Sequence, residues 1–156
     1  MAVTHLSESR AYPVAPADMF VQLLPLPLPD LFSRRYVAIP SIREVHDAPP
    51  TWDAVGQTRR IVLADGGTML ETLTLVDPPR AFGYTITEPT GPLAPLALSI
   101  DGTWSVDPSG TGCRVTWSWV VHPKGRLGRV AMPVFGKLWH GYARQALADL
   151  ERLVVV

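Results

Sequence analysis

GQTRRIVLADGGTMLETLTLVDPPRAFGYTITE, residues 56–88, holds three runs of strand length with nothing helical between them. GQTRRIVLA, TMLETLTLV and AFGYTITE are rich in β-branched and aromatic residues. Asp65-Gly66-Gly67 and Asp77-Pro78-Pro79 separate them, both sequences that reverse a chain. Strands that follow one another through short turns pair antiparallel, so this stretch predicts a meander. Because successive side chains on a strand point to opposite faces, the alternation also assigns sides. Ile61 and Leu63 suit the interior and bring Arg59 with them, leaving Arg60 outside with Val62. On the next run Met69, Glu71, Leu73 and Leu75 form the more apolar parity, against Thr68, Leu70, Thr72 and Thr74. Phe82, Tyr84, Ile86 and Glu88 share a parity on the third.

The same pattern extends to both sides. IREVHD, residues 42–47, precedes it within the Pro-rich segment 25–50, and ALSIDGTWSV and CRVTWSWVV follow, with turn signals at Pro49-Pro50, Gly91-Pro92 and Pro108-Ser109-Gly110. Leu98, Ile100, Trp104 and Val106 lie on one parity of the first of these. In the second, Val115, Trp117, Trp119 and Val121 oppose Arg114, Thr116 and Ser118, so two indoles face one apolar space. Residues 3–14 read as an additional first strand, with Leu6, Glu8, Arg10 and Tyr12 on one parity. Two short helices are expected after it. One starts at Pro16 with Asp18 in its first turn and ends at Pro25; the other covers Pro29 to Arg35, its acidic and basic ends matched to the helix dipole.

From Leu127 onward the period changes. Leu127, Ala131, Val134, Phe135, Leu138, Tyr142, Ala146, Leu150 and Leu153 recur at spacings of three and four, an apolar stripe on one long helix. Pro133 removes a donor and crowds the preceding turn, so the regular helix is expected either to begin or to kink there. The elements add up to an α+β fold of about seven antiparallel strands, two short helices and a long carboxyl-terminal helix across the sheet, in a single domain over residues 1–156.

Bulk properties narrow the function. Fourteen basic and fourteen acidic residues leave a formal net charge of zero, so no overall field draws in nucleic acid or an anionic membrane surface, which leaves only local patches. No stretch reaches the roughly 20 apolar residues of a spanning helix, and the amino end lacks the pattern of a secretion signal. With Cys113 as the only cysteine, no internal disulfide is possible; the expected location is the cytoplasm. His5, His46, His122 and His140 are scattered without ligand spacing, so no metal or other cofactor is expected. No nucleophile elbow or phosphate-binding loop occurs.

The order Arg-containing strand, Asp-Gly turn, strand with a central Glu, Asp-Pro turn and strand with an aromatic, in VGQTRRIVLADGGTMLETLTLVDPPRAFGYTITE, resembles the START-like helix-grip (SRPBCC) superfamily, in particular its polyketide cyclase/dehydrase branch. GTGCRVTWSWVV is similar to the strand that precedes the final helix there. The resemblance implies a curved sheet gripping the last helix and an apolar cavity between them for a lipid, polyketide, hormone or other hydrophobic molecule. The segment LPLPLPDLFSRRYVAIPSI departs from the commoner pattern.

On that reading the candidate ligand-binding residues are Arg59, Ile61, Leu63, Met69, Glu71 and Tyr84 on the first strands of the meander. Trp104, Trp117 and Trp119 follow on the later ones, and Phe135, Leu138, Trp139 and Tyr142 on the helix. Glu71 is either a strand carboxylate tied to Arg59 or Arg60, or a polar anchor in an apolar pocket. Arg59 is either its ion-pair partner or a clamp for a ligand carboxylate. The Gly- and Pro-rich loops 65–67 and 88–96 read as connecting turns or as a gate. Three functions follow: a carrier or sensor of a hydrophobic small molecule or lipid; a cyclase, aromatase or dehydratase with Glu71 and Tyr84 as catalytic groups and Arg59 orienting; or a groove for a protein partner. Nothing in the sequence sets the oligomeric state.

Overall fold

The computed structural model describes residues 2–155. In chain order it contains β1 (Thr4–Tyr12), α1 (Pro16–Leu23), α2 (Leu28–Leu31), β2 (Ile42–His46), β3 (Thr58–Leu63), β4 (Thr68–Asp77), β5 (Ala81–Thr87), β6 (Ala97–Ser109), β7 (Gly112–Pro123) and α3 (Gly125–Leu153). The seven strands form one antiparallel sheet in the order β1-β7-β6-β5-β4-β3-β2. The six strands from β2 to β7 are therefore a plain meander, and β1 closes against the last of them. This is the helix-grip arrangement. The turn chemistry explains the reversals: Gly66 takes φ 90° and Gly110 φ 57°, backbone conformations that glycine adopts without penalty, and the Asp65 side chain accepts the Gly67 N–H at 2.8 Å.

Several expectations are corrected by local geometry. Leu75 is exposed although its parity placed it inside, because the β4–β5 register slips between Leu73 and Leu75; one extra residue sends every following side chain to the other face. A slip between Ala97 and Ser99 does the same on β6, burying Ala97 and exposing Leu98. Glu88 lies beyond β5 with φ 53° and is exposed. α2 is a single turn, four residues long and not the seven expected. Phe32 ends it in a non-helical conformation, and the Phe32 carbonyl receives the Ile42 N–H at 2.9 Å. Arg34 consequently leaves the helix, and its guanidinium donates twice to Asp149 on α3, at 3.0 and 2.8 Å.

α3 begins at Gly125, eight residues before Pro133, and continues through it as one unbroken helix. Its apolar stripe is not one face but two. Met132, Gly136, Trp139, Ala143, Leu147 and Leu150 are buried. Leu127 and Val134, which the spacing grouped with the core, are exposed. α3 approaches β1 most closely, and β7 and α2 less so, so its middle stands off from the central strands. Among the described residues, no helix is long and apolar enough to cross a membrane.

Candidate functional site

Beneath α3 the centre of the sheet is organised around the Tyr84 hydroxyl. Tyr84 on β5 faces Gly102 on β6, and Gly102 faces Trp119 on β7. A Cβ at Gly102 would overlap the Tyr84 ring. The missing side chain is what lets the phenol lie across β6 and reach the third strand. There its oxygen accepts two hydrogen bonds, from Trp117 Nε1 and Trp119 Nε1, each at 2.8 Å. Two indoles two residues apart on one strand face thus converge on a single oxygen. Both lone pairs of the hydroxyl are engaged, and among the described residues nothing accepts its proton. Burial, followed by the nearby Glu71 charge, pushes the phenol pKa up, so the group stays a donor at any physiological pH.

Arg59 and Glu71 stand opposite each other on β3 and β4. They are 8% and 3% exposed, and Arg59 Nε donates to Glu71 Oε1 at 2.7 Å. The contact is single, not a fork. The guanidinium lies over the Trp52 ring, 4.0 Å from its centroid, which covers one face of the cation with π density. Its two Nη groups make no hydrogen bond to any described residue. Burial pushes the Glu71 carboxyl above the ordinary range, outweighing the opposing effect of Arg59.

Between sheet and helix lies a mainly apolar cavity of about 300 Å³, at the small end of the roughly 300–1,000 Å³ usual for ligand pockets. Its sheet wall includes Arg59, Ile61, Leu63, Met69, Glu71 and Tyr84, continued by Trp104, Trp117 and Trp119; its helix wall includes Phe135, Leu138, Trp139 and Tyr142. The structure thus brings all thirteen candidate residues to one space. Their stacking is continuous: Trp104 lies on Trp117 with centroids 5.1 Å apart, and Trp119 on Phe135 at 6.3 Å. Trp139 touches both Trp117 and Trp119, at 5.0 and 5.7 Å.

A further wall was not anticipated. Leu23 on α1 and Leu31 on α2, with Leu24 and Phe32 just beyond them, line the cavity, as do Ala38, Ile39 and Pro40 from the loop that follows. Prolines interrupt that segment so often that no period shows. The loop is pinned on α3: Tyr142 donates to the Pro40 carbonyl at 3.2 Å, and Tyr36 packs where any side chain at Gly141 would sit. Gly102 was also missed as a site residue, although a glycine inside a strand was the available signal. Trp52, which beside the double proline reads as either a rim cover or a core cap, lies under the Arg59 guanidinium.

The two glycine- and proline-rich loops meet at one end of the cavity. Thr90 bonds Thr68 through backbone and hydroxyl, at 2.8 Å for each N–H involved, and Asp65, Pro92, Leu93 and Leu96 border the space. His122 lies off the cavity, beside Asp101 at 3.0 Å, and His140 binds Glu8 at 2.7 Å. Among the described residues no group of three His, Cys, Asp or Glu is placed to hold a metal ion. Cys113 is buried, and burial pushes its thiol pKa up, which makes it unreactive.

Comparison with known proteins agrees with this geometry. The major latex-like protein 151 of Panax ginseng superposes with a TM-score of 0.72 at 16% identity over 100% of both chains. Norcoclaurine synthase of Thalictrum flavum, solved with dopamine and hydroxybenzaldehyde, gives 0.68 at 17% identity over 96% of this chain and 86% of its own. Ara h 8.0201 gives 0.62 at 19% identity, covering 96% and 99%. At these identities the likeness concerns the fold. No curated protein matches the sequence. The model of the family described as polyketide cyclase / dehydrase and lipid transport matches residues 4–155, nearly the whole chain, and the protein therefore belongs to that family.

Proposed function

We propose that this protein binds a compact, mainly apolar small molecule carrying a hydrogen-bond acceptor such as a carbonyl oxygen, as a carrier or sensor. The observation that supports this most directly is the Tyr84 hydroxyl, fixed by two indole N–H groups with its own proton unspent on a cavity wall. A buried donor without a partner costs about 1–3 kcal/mol, and a ligand acceptor at that point would remove the cost. Arg59, with free Nη donors on the same wall, offers a second polar point for an anionic or acceptor group. The rest of the lining selects for apolar bulk. The volume suits a molecule of a few rings or one short chain better than a two-chain lipid.

Native mass spectrometry of the purified protein, followed by organic extraction, identifies what it carries. The expected result is a bound apolar molecule with at least one acceptor. Tyr84→Phe should weaken it about five- to hundredfold, the range for one buried hydrogen bond, while an analogue lacking the acceptor binds both proteins alike. Absence of any small molecule, together with no uptake of a fluorescent apolar dye, would refute the reading.

One observation favours an enzymatic variant. Glu71, with its carboxyl pKa raised by burial, lines the same cavity as the phenol donor, and a raised carboxyl is suited to acid-base work near neutrality. In a cyclase, aromatase or dehydratase Glu71→Gln abolishes turnover of the extracted compound and keeps its binding. A carrier has no turnover to lose.

A further inference from the structure

The first half of α3 sorts its side chains by direction. Gly128, Met132, Gly136 and Trp139 are buried, while Ala131, Phe135 and Leu138 line the cavity. A third set faces out: Leu127, Val130 and Val134 are 61%, 75% and 66% exposed. Steps of three and four make them neighbours along one strip of the helix. Val134 also lines the cavity, so the strip runs up to its mouth. Lys124, Arg126, Arg129 and Lys137 flank it, all exposed, and none forms an ion pair with a described residue. From Pro108 to Ala148 the sequence contains no Asp or Glu.

Neither feature serves the fold. Exposed aliphatic groups gain nothing from water, and cations in the first turns oppose the positive end of the helix dipole. In a chain of net charge zero, this is a local concentration of one sign beside a local concentration of apolar surface. A basic helix face bordered by aliphatic side chains fits an anionic bilayer: headgroups meet the cations, and the aliphatic strip enters the boundary below them.

We infer that the first half of α3 is a docking surface for anionic lipid bilayers, which sets the cavity mouth against the membrane so that an apolar ligand passes between the two without crossing water. A second copy of this chain is a poor occupant, because two-fold pairing of the same patch brings like charges together. An acidic protein would meet the cations but supplies no apolar reservoir at the mouth. The inference goes beyond the ligand reading, and docking itself needs no ligand.

The test is co-sedimentation of the full chain with vesicles of phosphatidylcholine alone and of phosphatidylcholine mixed with phosphatidylserine. Binding is expected only to the mixed vesicles, with release at high salt. Arg126→Gln combined with Lys137→Gln should lower partition about 25-fold, each cation near an anionic surface being worth roughly fivefold. Val130→Asp and Leu127→Asp, at exposed positions that keep the native circular dichroism, should abolish it. Tyr84→Phe should dock as the wild type does, so failure of the docking claim and failure of the ligand reading are seen separately. No binding to either vesicle, equal binding to both, or binding indifferent to these substitutions overturns the proposal. So does a dimer in sedimentation velocity that Val130→Asp dissolves while vesicles stay unbound.

Discussion

Arg59 and Glu71 pose the clearest energetic question at the scale of single residues. Each is nearly fully buried, and each ion loses several kcal/mol of hydration, which one hydrogen bond at 2.7 Å and a stacked indole recover only in part. Removing one partner is therefore far worse than removing both. Arg59→Met should destabilise the protein by about 3–5 kcal/mol at neutral pH, because Glu71 stays behind without a cation. The double variant Arg59→Met, Glu71→Leu should come within about 1 kcal/mol of the wild type or exceed it. Urea denaturation of the three proteins measures both. The pH dependence has a definite sign. The Glu71 carboxyl already titrates above its ordinary value, and loss of Arg59 raises it further, so the folded state holds its proton more tightly than the unfolded chain does. Stability of Arg59→Met is then greatest below the ordinary carboxylate range and falls as pH rises through the folded pKa. A single variant as stable as the double one would show that water reaches Glu71.

At the scale of elements, the join between α3 and the segment after α2 rests on Asp149. Burial pushes its carboxyl up, yet hydrogen bonds from Arg34 and Arg152 prevail and hold the pKa below the usual range. Arg152 donates at 2.7 Å. A lowered pKa stabilises above the unfolded value and ceases to do so as pH falls through the folded one. Asp149→Asn should cost about 1–2 kcal/mol at neutral pH, less than a fully buried pair because both arginines are largely exposed. That difference should shrink only below the ordinary carboxylate range, as acidification carries the pH through the lowered folded value. Thermal melts of both proteins from neutral pH downward check it. Elements such as these differ in how far the sequence reveals them. Where period two is unbroken, as from Arg59 to Leu63 and from Met69 to Leu73, the alternation assigns faces correctly and brings Arg59 opposite Glu71. At Leu75 and Leu98 it fails, since a bulge inserts a residue without any local signal in composition. On α3, spacing groups Leu127 and Val134 with Tyr142 and Leu150 because periodicity reports a stripe, not what the stripe faces. The LPLPLPDLF segment is opaque for a different reason: its leucines are placed by where the prolines turn the chain, and tertiary contact of α1 and α2 with β2, β6, β7 and α3 decides that.

For the whole molecule, the cavity persists because α3 packs along the edge strand β1 and is held there at fixed points, not laid on the central strands. Its first turns rest on the β5–β6 connection, where the Lys124 N–H reaches the Leu96 carbonyl at 2.9 Å and Gly128 sits too close to that carbonyl for any side chain. Glu8 on β1 holds its middle through His140 and Arg144. Tyr12, donating to the Leu147 carbonyl, and Arg34 on Asp149 hold its far end. These props fix the height of the helix above β3–β6 before the aromatic side chains beneath it are counted, so the lining cannot collapse without breaking several of them together. An unfilled apolar space forfeits dispersion contacts on every lining atom, and the native state should be correspondingly less stable empty than filled. Protein stripped by hydrophobic chromatography should melt below the protein as purified, and restoring the extracted compound at about 100 times its dissociation constant should return about 2.7 kcal/mol. For a chain of this length that is a rise of roughly 5–10 °C in the midpoint. Identical midpoints for stripped and reloaded protein would mean that the props, and not an occupant, carry the stability of this space, and that the extracted compound has no preference for the native state.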